Sequence, residues 1–449
     1  MRAEAKPLSA LTLSIAVPIA LQSLVSFSVN MADTVMLGQL GEVELSASAL
    51  ANQVFFIVSL AVGGIADGAN VLLAQAWGKG DRGRMHGILA YMYRVTLLFV
   101  LAVTALAFAA PGPVLSVFSR DAEVVEQGAG YLRIVSVSYL FYGFSAATTG
   151  ALRAVHTVKI AMAGSLLSMG VNVAGNWLLI FGKLGAPRLG IEGAATATLL
   201  ARICEAALIL WFIWKREDRM QIRLRALLRL DRPLARIYFR TSAPVIANEF
   251  FWSLGESALA VVLGRMGTQV VAANSICGVM NQLATVLVRG VTAAACVIVG
   301  NKIGAGELEA LPQLKKYFQR LALGMGAAAG LLIWLTYPLV LRFYQVGSDT
   351  LVYARQFTWI TAAIQPFQAL QITNMMGLLR GGGDVRFAMA NDMVFLWGLT
   401  VPLGFICGLW LGLPPAAVFA LLRAEKVIKA ATSEWRLRKG GWIHETLTG

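Results

Sequence analysis

The chain has 449 residues, 57% of them hydrophobic and only 14% charged, against about 25% charged in ordinary soluble proteins, and its mean hydropathy is +0.68. Apolar runs of about 18 residues or more recur along nearly the whole length, each long enough to cross a hydrocarbon core roughly 30 Å thick as a helix. A soluble enzyme, a nucleic-acid module and a disordered scaffold are excluded, and the net charge of +14 is no argument for nucleic acid, because the basic residues sit in short connections between apolar spans.

Read in chain order, the apolar segments between charged or Gly/Pro-rich breaks predict twelve helices, at 9–37, 46–76, 87–110, 127–152, 157–181, 190–214, 238–263, 269–299, 317–341, 353–379, 386–411 and 413–433. Ahead of the first lies a short polar head, and the run that follows is long enough to span, so it is read as a retained span and not as a signal. Most Lys and Arg residues fall on one side: Arg2 and Lys6, the loop with Lys79, Arg82 and Arg84, the stretch 215–240, and the C-terminal end. By the positive-inside rule both termini are expected in the cytoplasm. The stretch 215–240 is the only long polar interruption. It reads as a basic linker, with a position against an anionic leaflet as the alternative.

Sliding the second half over the first exposes a repeat. At a shift of 226, Pro18 meets Pro244, Gly38-x-x-Gly41 meets Gly264-x-x-Gly267, and Gln75-x-x-Gly78-x-Gly80 meets Asn301-x-x-Gly304-x-Gly306. At 227, Gly150-x-x-Arg153 meets Gly377-x-x-Arg380, and Lys159-x-Ala161-Met162 meets Arg386-x-Ala388-Met389. The expectation is an all-α integral membrane protein with twelve transmembrane helices in two pseudo-symmetric six-helix lobes. The N-terminal lobe takes 1–214, a basic cytoplasmic linker 215–237, the C-terminal lobe 238–435 and a cytoplasmic tail 436–449. With six spans per copy, both copies enter from the same side and are related by an axis along the membrane normal, an arrangement that commonly encloses a midplane site and alternates access by rocking.

Several segments together resemble the multidrug and toxic compound extrusion (MATE) family. They are Met31-Ala32-Asp33-Thr34-Val35-Met36-Leu37-Gly38, Ala74-Gln75-Ala76-Trp77-Gly78-Lys79-Gly80-Asp81, the pair Asn172 and Asn176, Leu189-Gly190-Ile191-Glu192-Gly193-Ala194-Ala195, and Leu379-Arg380-Gly381-Gly382-Gly383-Asp384. The resemblance covers both halves. It implies a V-shaped pair of lobes in a bacterial inner membrane, exporting amphipathic and often cationic compounds in exchange for H⁺ or Na⁺. It also implies a cation-coupling site at Asp33, Asn172 and Asn176, with bending of helix 1 near the hinge residue Pro18.

An ionisable side chain inside a span costs about 2.5–3.5 kcal/mol at the centre on insertion scales, so it is a functional candidate by default. Asp33, Asp67, Glu205, Glu249, Glu256 and Asp392 qualify. Asp33, in apolar or small surroundings, is read as the group that loads a proton, or else as a carboxylate in interfacial water. Asn172 and Asn176, one turn apart, offer oxygens to Na⁺ or donors to a carboxylate, or serve as interhelical glue.

For the second lobe the candidates are Glu249, Trp252, Glu256, Gln368 and Asp392. Glu249 and Glu256 flank Trp252 on one helical face and would offer a cationic substrate charge and cation–π contact. The alternative for the two glutamates is pairing with a basic residue such as Arg289, and Asp392 either faces the cavity of the second lobe or pairs with Arg289. Arg202 and Glu205 read as a structural i,i+3 ion pair, and Asp67 as hydrated. Span 10 carries Gln365, Gln368 and Gln371 but no acid, which speaks against Na⁺ in the second lobe.

The run 381–383 lacks the strand and the GK[ST] of a phosphate loop and is read as a turn. The scattered Cys204, Cys277, Cys296 and Cys407, and the three histidines, form no metal or redox pattern. No cofactor is expected, no metal apart from Na⁺ at Asp33, Asn172 and Asn176, no enzymatic activity and no nucleic acid. The expected partners are small organic cations and membrane lipids, and the expected state is a monomer. The alternative function is a flippase for a lipid-linked substrate, disfavoured by the mostly acidic charge within the spans.

Overall fold

The computed structural model describes residues 7–222, 231–342, 344 and 346–446. Residues 223–230 of the expected linker, Arg2 and Lys6 of the N-terminal end, and 447–449 of the tail lie outside them.

Every expected span has a long helix. They are α1 (Leu8–Gly38), α2 (Glu42–Lys79), α3 (Arg82–Ala109), α4 (Ala122–Ala154), α5 (Lys159–Phe181), α6 (Gly190–Lys215), α7 (Arg232–Met266), α8 (Thr268–Gly304), α9 (Leu311–Arg342), α10 (Ser348–Ile372, continued by the π-helical Thr373–Leu379), α11 (Val385–Trp410) and α12 (Pro415–Lys439). Most run past their apolar stretch because polar caps and glycines, not hydropathy, end them. Asp81 starts α3 by accepting from the Arg84 N–H, Asp121 starts α4 by accepting from Glu123 and Val124, and Gly182 closes α5 at φ 65°. The helix expected from 238 already begins at Arg232, inside the stretch assigned to the linker.

Among the described residues, nine helices are long and apolar enough to cross a membrane. α4, α10 and α12 fall short because they bury polar side chains: Ser136, Ser138, Ser145 and Thr148 on α4, Gln365, Gln368 and Gln371 on α10, and Glu425, Lys429 and Ser433 on α12. Helix α11 opens into π turns at Leu396–Thr400 and Ile406–Trp410. Between them Pro402 has no N–H to return to the preceding turn, so the regular ladder cannot run through.

The chain forms two compact units. One contains Leu21–Leu73 and Asp81–Ser242; the other contains Met1–Ala20, Ala74–Gly80 and Ala243–Gly449. Helices α1 and α2 are thus each divided between them. The first-named unit packs around Tyr139 with Leu37, Val58, Val100, Ile180 and Ala195. The other packs around Phe357, which stacks on Phe419 with ring centroids 4.1 Å apart, and Val270, Ile276 and Val418.

Within this second unit the repeated motif acts on itself. A Cβ on Gly78 would stand 2.0 Å from the Asn301 carbonyl oxygen, and one on Gly304 would stand 1.9 Å from that of Gln75. Each copy of the Gln/Asn-x-x-Gly motif presses its glycine onto the backbone of the other copy's Gln or Asn, a contact that no residue with a side chain permits. The turn after α10 is equally tight. Its Gly382 N–H bonds the Leu378 carbonyl, and its Gly382 carbonyl accepts from the His444 N–H at 2.7 Å, with Gly383 and Ile443 forming an antiparallel bridge. Trp442 lies buried over Gly382. Gln75 donates to the His444 carbonyl at 3.0 Å and accepts from the Thr446 N–H at 2.9 Å, so the chain end is folded against α2.

Replacing Gly304 with leucine forces the two backbones apart, an overpacking that costs about 1–3 kcal/mol or more. Thermal unfolding followed by size-exclusion chromatography will show a lower Tm for Gly304→Leu than for Gly324→Leu, whose added Cβ meets nothing within 4 Å.

At the turn between α4 and α5, burial, reinforced by the Arg219 cation, pushes the His156 imidazole down from its usual 6.5 to about 4. The native state therefore holds His156 neutral while the unfolded chain protonates it. Stability is at its full value above pH ~6.5 and is lost as pH falls toward ~4. His156→Asn, which tolerates the local φ of 60°, should flatten this part of a Tm-against-pH curve.

Candidate functional site

Helix α1 carries Asp33 and α5 carries Asn172 and Asn176, all in the unit containing Leu21–Leu73 and Asp81–Ser242. The structure brings the three together. The half-buried Asp33 accepts from Asn176 Nδ2 at 2.5 Å, which also donates to Asn172 Oδ1 at 3.3 Å. Asn172 Nδ2 donates to Thr198 Oγ1 at 3.1 Å. Thr198 is in range because α5 and α6 pack closely: a Cβ on Gly175 would stand 2.8 Å from Ala197 Cβ. Both asparagines are buried, and Asn176 Oδ1 has no hydrogen-bond partner among the described residues.

A second layer fixes the charge near this cluster. Arg202 donates to Glu205 at 2.8 Å, the i,i+3 ion pair expected from the sequence, and lies over the rings of Phe55 and Tyr142 at 5.7 and 5.0 Å. Its charge also acts on Asp33. Asp67, expected to be hydrated, is 44% exposed and 3.5 Å from Arg153. In chemical terms the cluster is a carboxylate held by neutral amides, with an orphan carbonyl oxygen and a hydroxyl in the same network. Such a set can take up a proton on the carboxylate or offer hard oxygen ligands to a small cation.

The second-half candidates meet several different partners. Glu249 does not pair with Arg289: it accepts from Arg380, in the turn after α10, at 3.0 Å. Asp392 does not pair with Arg289 either, but with Lys429 of α12 at 3.1 Å. A guanidinium and an ammonium from neighbouring elements reach these carboxylates, which spacing along one helix does not reveal. Glu256 is half-buried, with Lys426 as the cation that its charge acts on. Trp252 is half-buried and Gln368 buried, while Gln365 donates to Asn281. Pro18 is buried within α1, just ahead of the division between Ala20 and Leu21.

Glu425, Lys426, Lys429, Asn248 and Thr198 were not among the sequence candidates. The i,i+4 pair Glu425 and Lys429 inside an apolar run was the available signal. Cys204, Cys277 and Cys407 are free thiols, and no group of three or more His, Cys, Asp or Glu able to hold a metal occurs among the described residues.

The MatE family model matches residues 18–178 and again 244–406, two starts separated by the same 226-residue shift as the internal repeat. The chain belongs to the MATE family. Among relatives, the probable multidrug resistance protein NorM of Rhizobium meliloti is 28% identical over 94% of this chain and 95% of its own length. The NorM of Thermotoga maritima is 24% identical over 95% and 93%, and the uncharacterized transporter YisQ of Bacillus subtilis is 21% identical over 92% and 90%. Among solved structures, a MATE crystal structure in the bent conformation superposes with a TM-score of 0.87 at 20% identity, covering 96% of this chain and 95% of that one. An outward-facing multidrug resistance MATE transporter superposes with 0.86, covering 97% and 98%. The protein is therefore a transporter of the MATE family, a multi-pass membrane protein and not an enzyme.

The Arg380 and Glu249 side chains are only 7% and 19% exposed, so removing one partner strands a charge. Arg380→Met should cost about 3 kcal/mol, and adding Glu249→Gln should recover most of it. A double-mutant cycle on thermal or denaturant stability measures the coupling; additive losses would show that the pair is not coupled.

Proposed function

We propose that this MATE transporter exports amphipathic, cationic organic compounds by exchanging them for H⁺ or Na⁺ bound at Asp33, Asn172 and Asn176. The observation that carries the reading is the Asp33 carboxylate held, among the described residues, by neutral amide donors alone, beside the Asn176 oxygen that has no partner among them. A carboxylate answered by amides and not by a directly bonded cation keeps a charge that a proton or sodium ion can cancel.

Loading that charge changes which state of the protein is favoured, because an ion shifts an equilibrium by its differential affinity for the two states. Pro18 is the hinge in this reading, supported by its place within α1 close to where the helix passes from one compact unit to the other. Two six-helix lobes, 1–214 and 238–435, joined by the basic linker 215–237, would rock to alternate access. Glu249, Trp252, Glu256, Gln368 and Asp392 belong to the second-lobe or substrate site. The protein acts as a monomer in a bacterial inner membrane, in contact with its lipids, with both termini and the tail 436–449 cytoplasmic, as the distribution of Lys and Arg supports.

The test is efflux of a fluorescent organic cation from proteoliposomes with a pH gradient and a sodium gradient imposed in separate runs. One gradient should drive the wild type, and Asp33→Asn should lose the gradient-driven component while remaining monodisperse. Equal gradient-driven transport by Asp33→Asn would remove this residue from the coupling.

A further inference from the structure

The unit containing Ala243–Gly449 buries a charge cluster built from three helices. From α7 comes Asn248, from α11 Asp392 and Thr400, and from α12 Glu425, Lys426 and Lys429. Lys429 is at its centre. Its Nζ lies 3.1 Å from Asp392 Oδ1 and 3.3 Å from Glu425 Oε2, with the lysine side chain 1% exposed. Asn248 Nδ2 donates to the other Asp392 oxygen at 3.2 Å, and Thr400 Oγ1 donates to Glu425 Oε2 at 2.8 Å. Lys426 neutralises Glu425 from its other side, Nζ to Oε1 at 2.7 Å. Farther out, Glu256 and Arg423 act on Lys426.

Two features set this cluster apart from an ordinary ion pair. Its charges balance as two carboxylates against two ammonium groups, so without the Lys429 head one negative charge remains, the quantity that a single monovalent ion cancels. The atoms around that head are also hard oxygens from separate helices, the donor type that alkali cations take. One more belongs to the same cluster: Asn248 Oδ1, on a side chain 2% exposed, is buried without a hydrogen-bond partner among the described residues. An ammonium, which only donates, can turn to such an oxygen, and so can a bare cation.

We propose that Lys429 is a tethered cation standing in a monovalent-cation site of the second half, and that its ammonium keeps Na⁺ out of that half. Asp392, Glu425 and the Asn248 carbonyl oxygen are the ligands that a free ion would meet if the ammonium were withdrawn. The inference does not rest on the coupling role assigned to Asp33.

The experiment removes the tethered charge and offers free ions in its place. Every arm carries Asp33→Asn, so that the first half does not contribute. Lys429→Met is compared with the protein retaining Lys429 in NaCl, LiCl and choline chloride at equal ionic strength, which cancels screening. Monodispersity and Tm are the readouts. The expected result is that Lys429→Met is stabilised by Na⁺ or Li⁺ over choline, that the protein retaining Lys429 shows no such preference, and that Lys429→Met/Asp392→Asn loses it again. Identical behaviour of Lys429→Met in all three salts, folded in each or in none, would overturn the proposal. So would a sodium preference of equal size in the protein that keeps Lys429.

Discussion

The contact that constrains this architecture most tightly is a backbone touching a backbone. Where the last turns of α2 meet α8, Gly78 and Gly304 each sit on the carbonyl oxygen of the other copy's Gln or Asn residue. Apolar side chains give helices little reason to associate in lipid, because the surrounding tails are as apolar as they are. Close approach through glycine supplies van der Waals contact that lipid cannot match. The contact is reciprocal because the motif is duplicated, so one short sequence, used twice, provides both sides of the crossing.

Charge inside the spans is handled in two ways. Around Asp33 the partners are amides and a hydroxyl, with Arg202 engaged at Glu205. Around Asp392 and Glu425 the partners are two lysines. Both arrangements answer the cost of burying a carboxylate, yet they leave different residual charge. Helix α12 gives up hydropathy to carry Glu425, Lys426 and Lys429 of the second network, and with α4 and α10 it is less apolar than the other long helices among the described residues.

Much of this was legible in the sequence. Each of the twelve apolar runs falls on a long helix, nine of these being apolar enough to span among the described residues, and the 226-residue shift found from Pro18, Gly38 and Gln75 is the shift between the two family matches. Asp33, Asn172 and Asn176, which the family resemblance grouped, are joined by hydrogen bonds. Less legible was which cation each carboxylate of the second half meets. Pairing of Glu249 with a basic residue was one of the readings, and Arg380 is that residue in place of Arg289, whereas Lys426 and Lys429 were absorbed into the basic C-terminal end. Their apolar stems lie inside the packed helices, and only the three-dimensional register of α11 against α12 shows which carboxylates they meet. Arg380 was read as part of a turn, and nothing in its neighbours along the chain points to Glu249.

The segment that follows α12 gives one copy of the duplicated motif a distant partner. Gln75 and Asn301 occupy equivalent places in the two copies, and Gln75 binds the segment around His444 and Thr446. Position 75 therefore answers to a partner 369 residues further along the chain, so a substitution at Gln75 is felt where the polypeptide leaves α12 as well as within its own repeat.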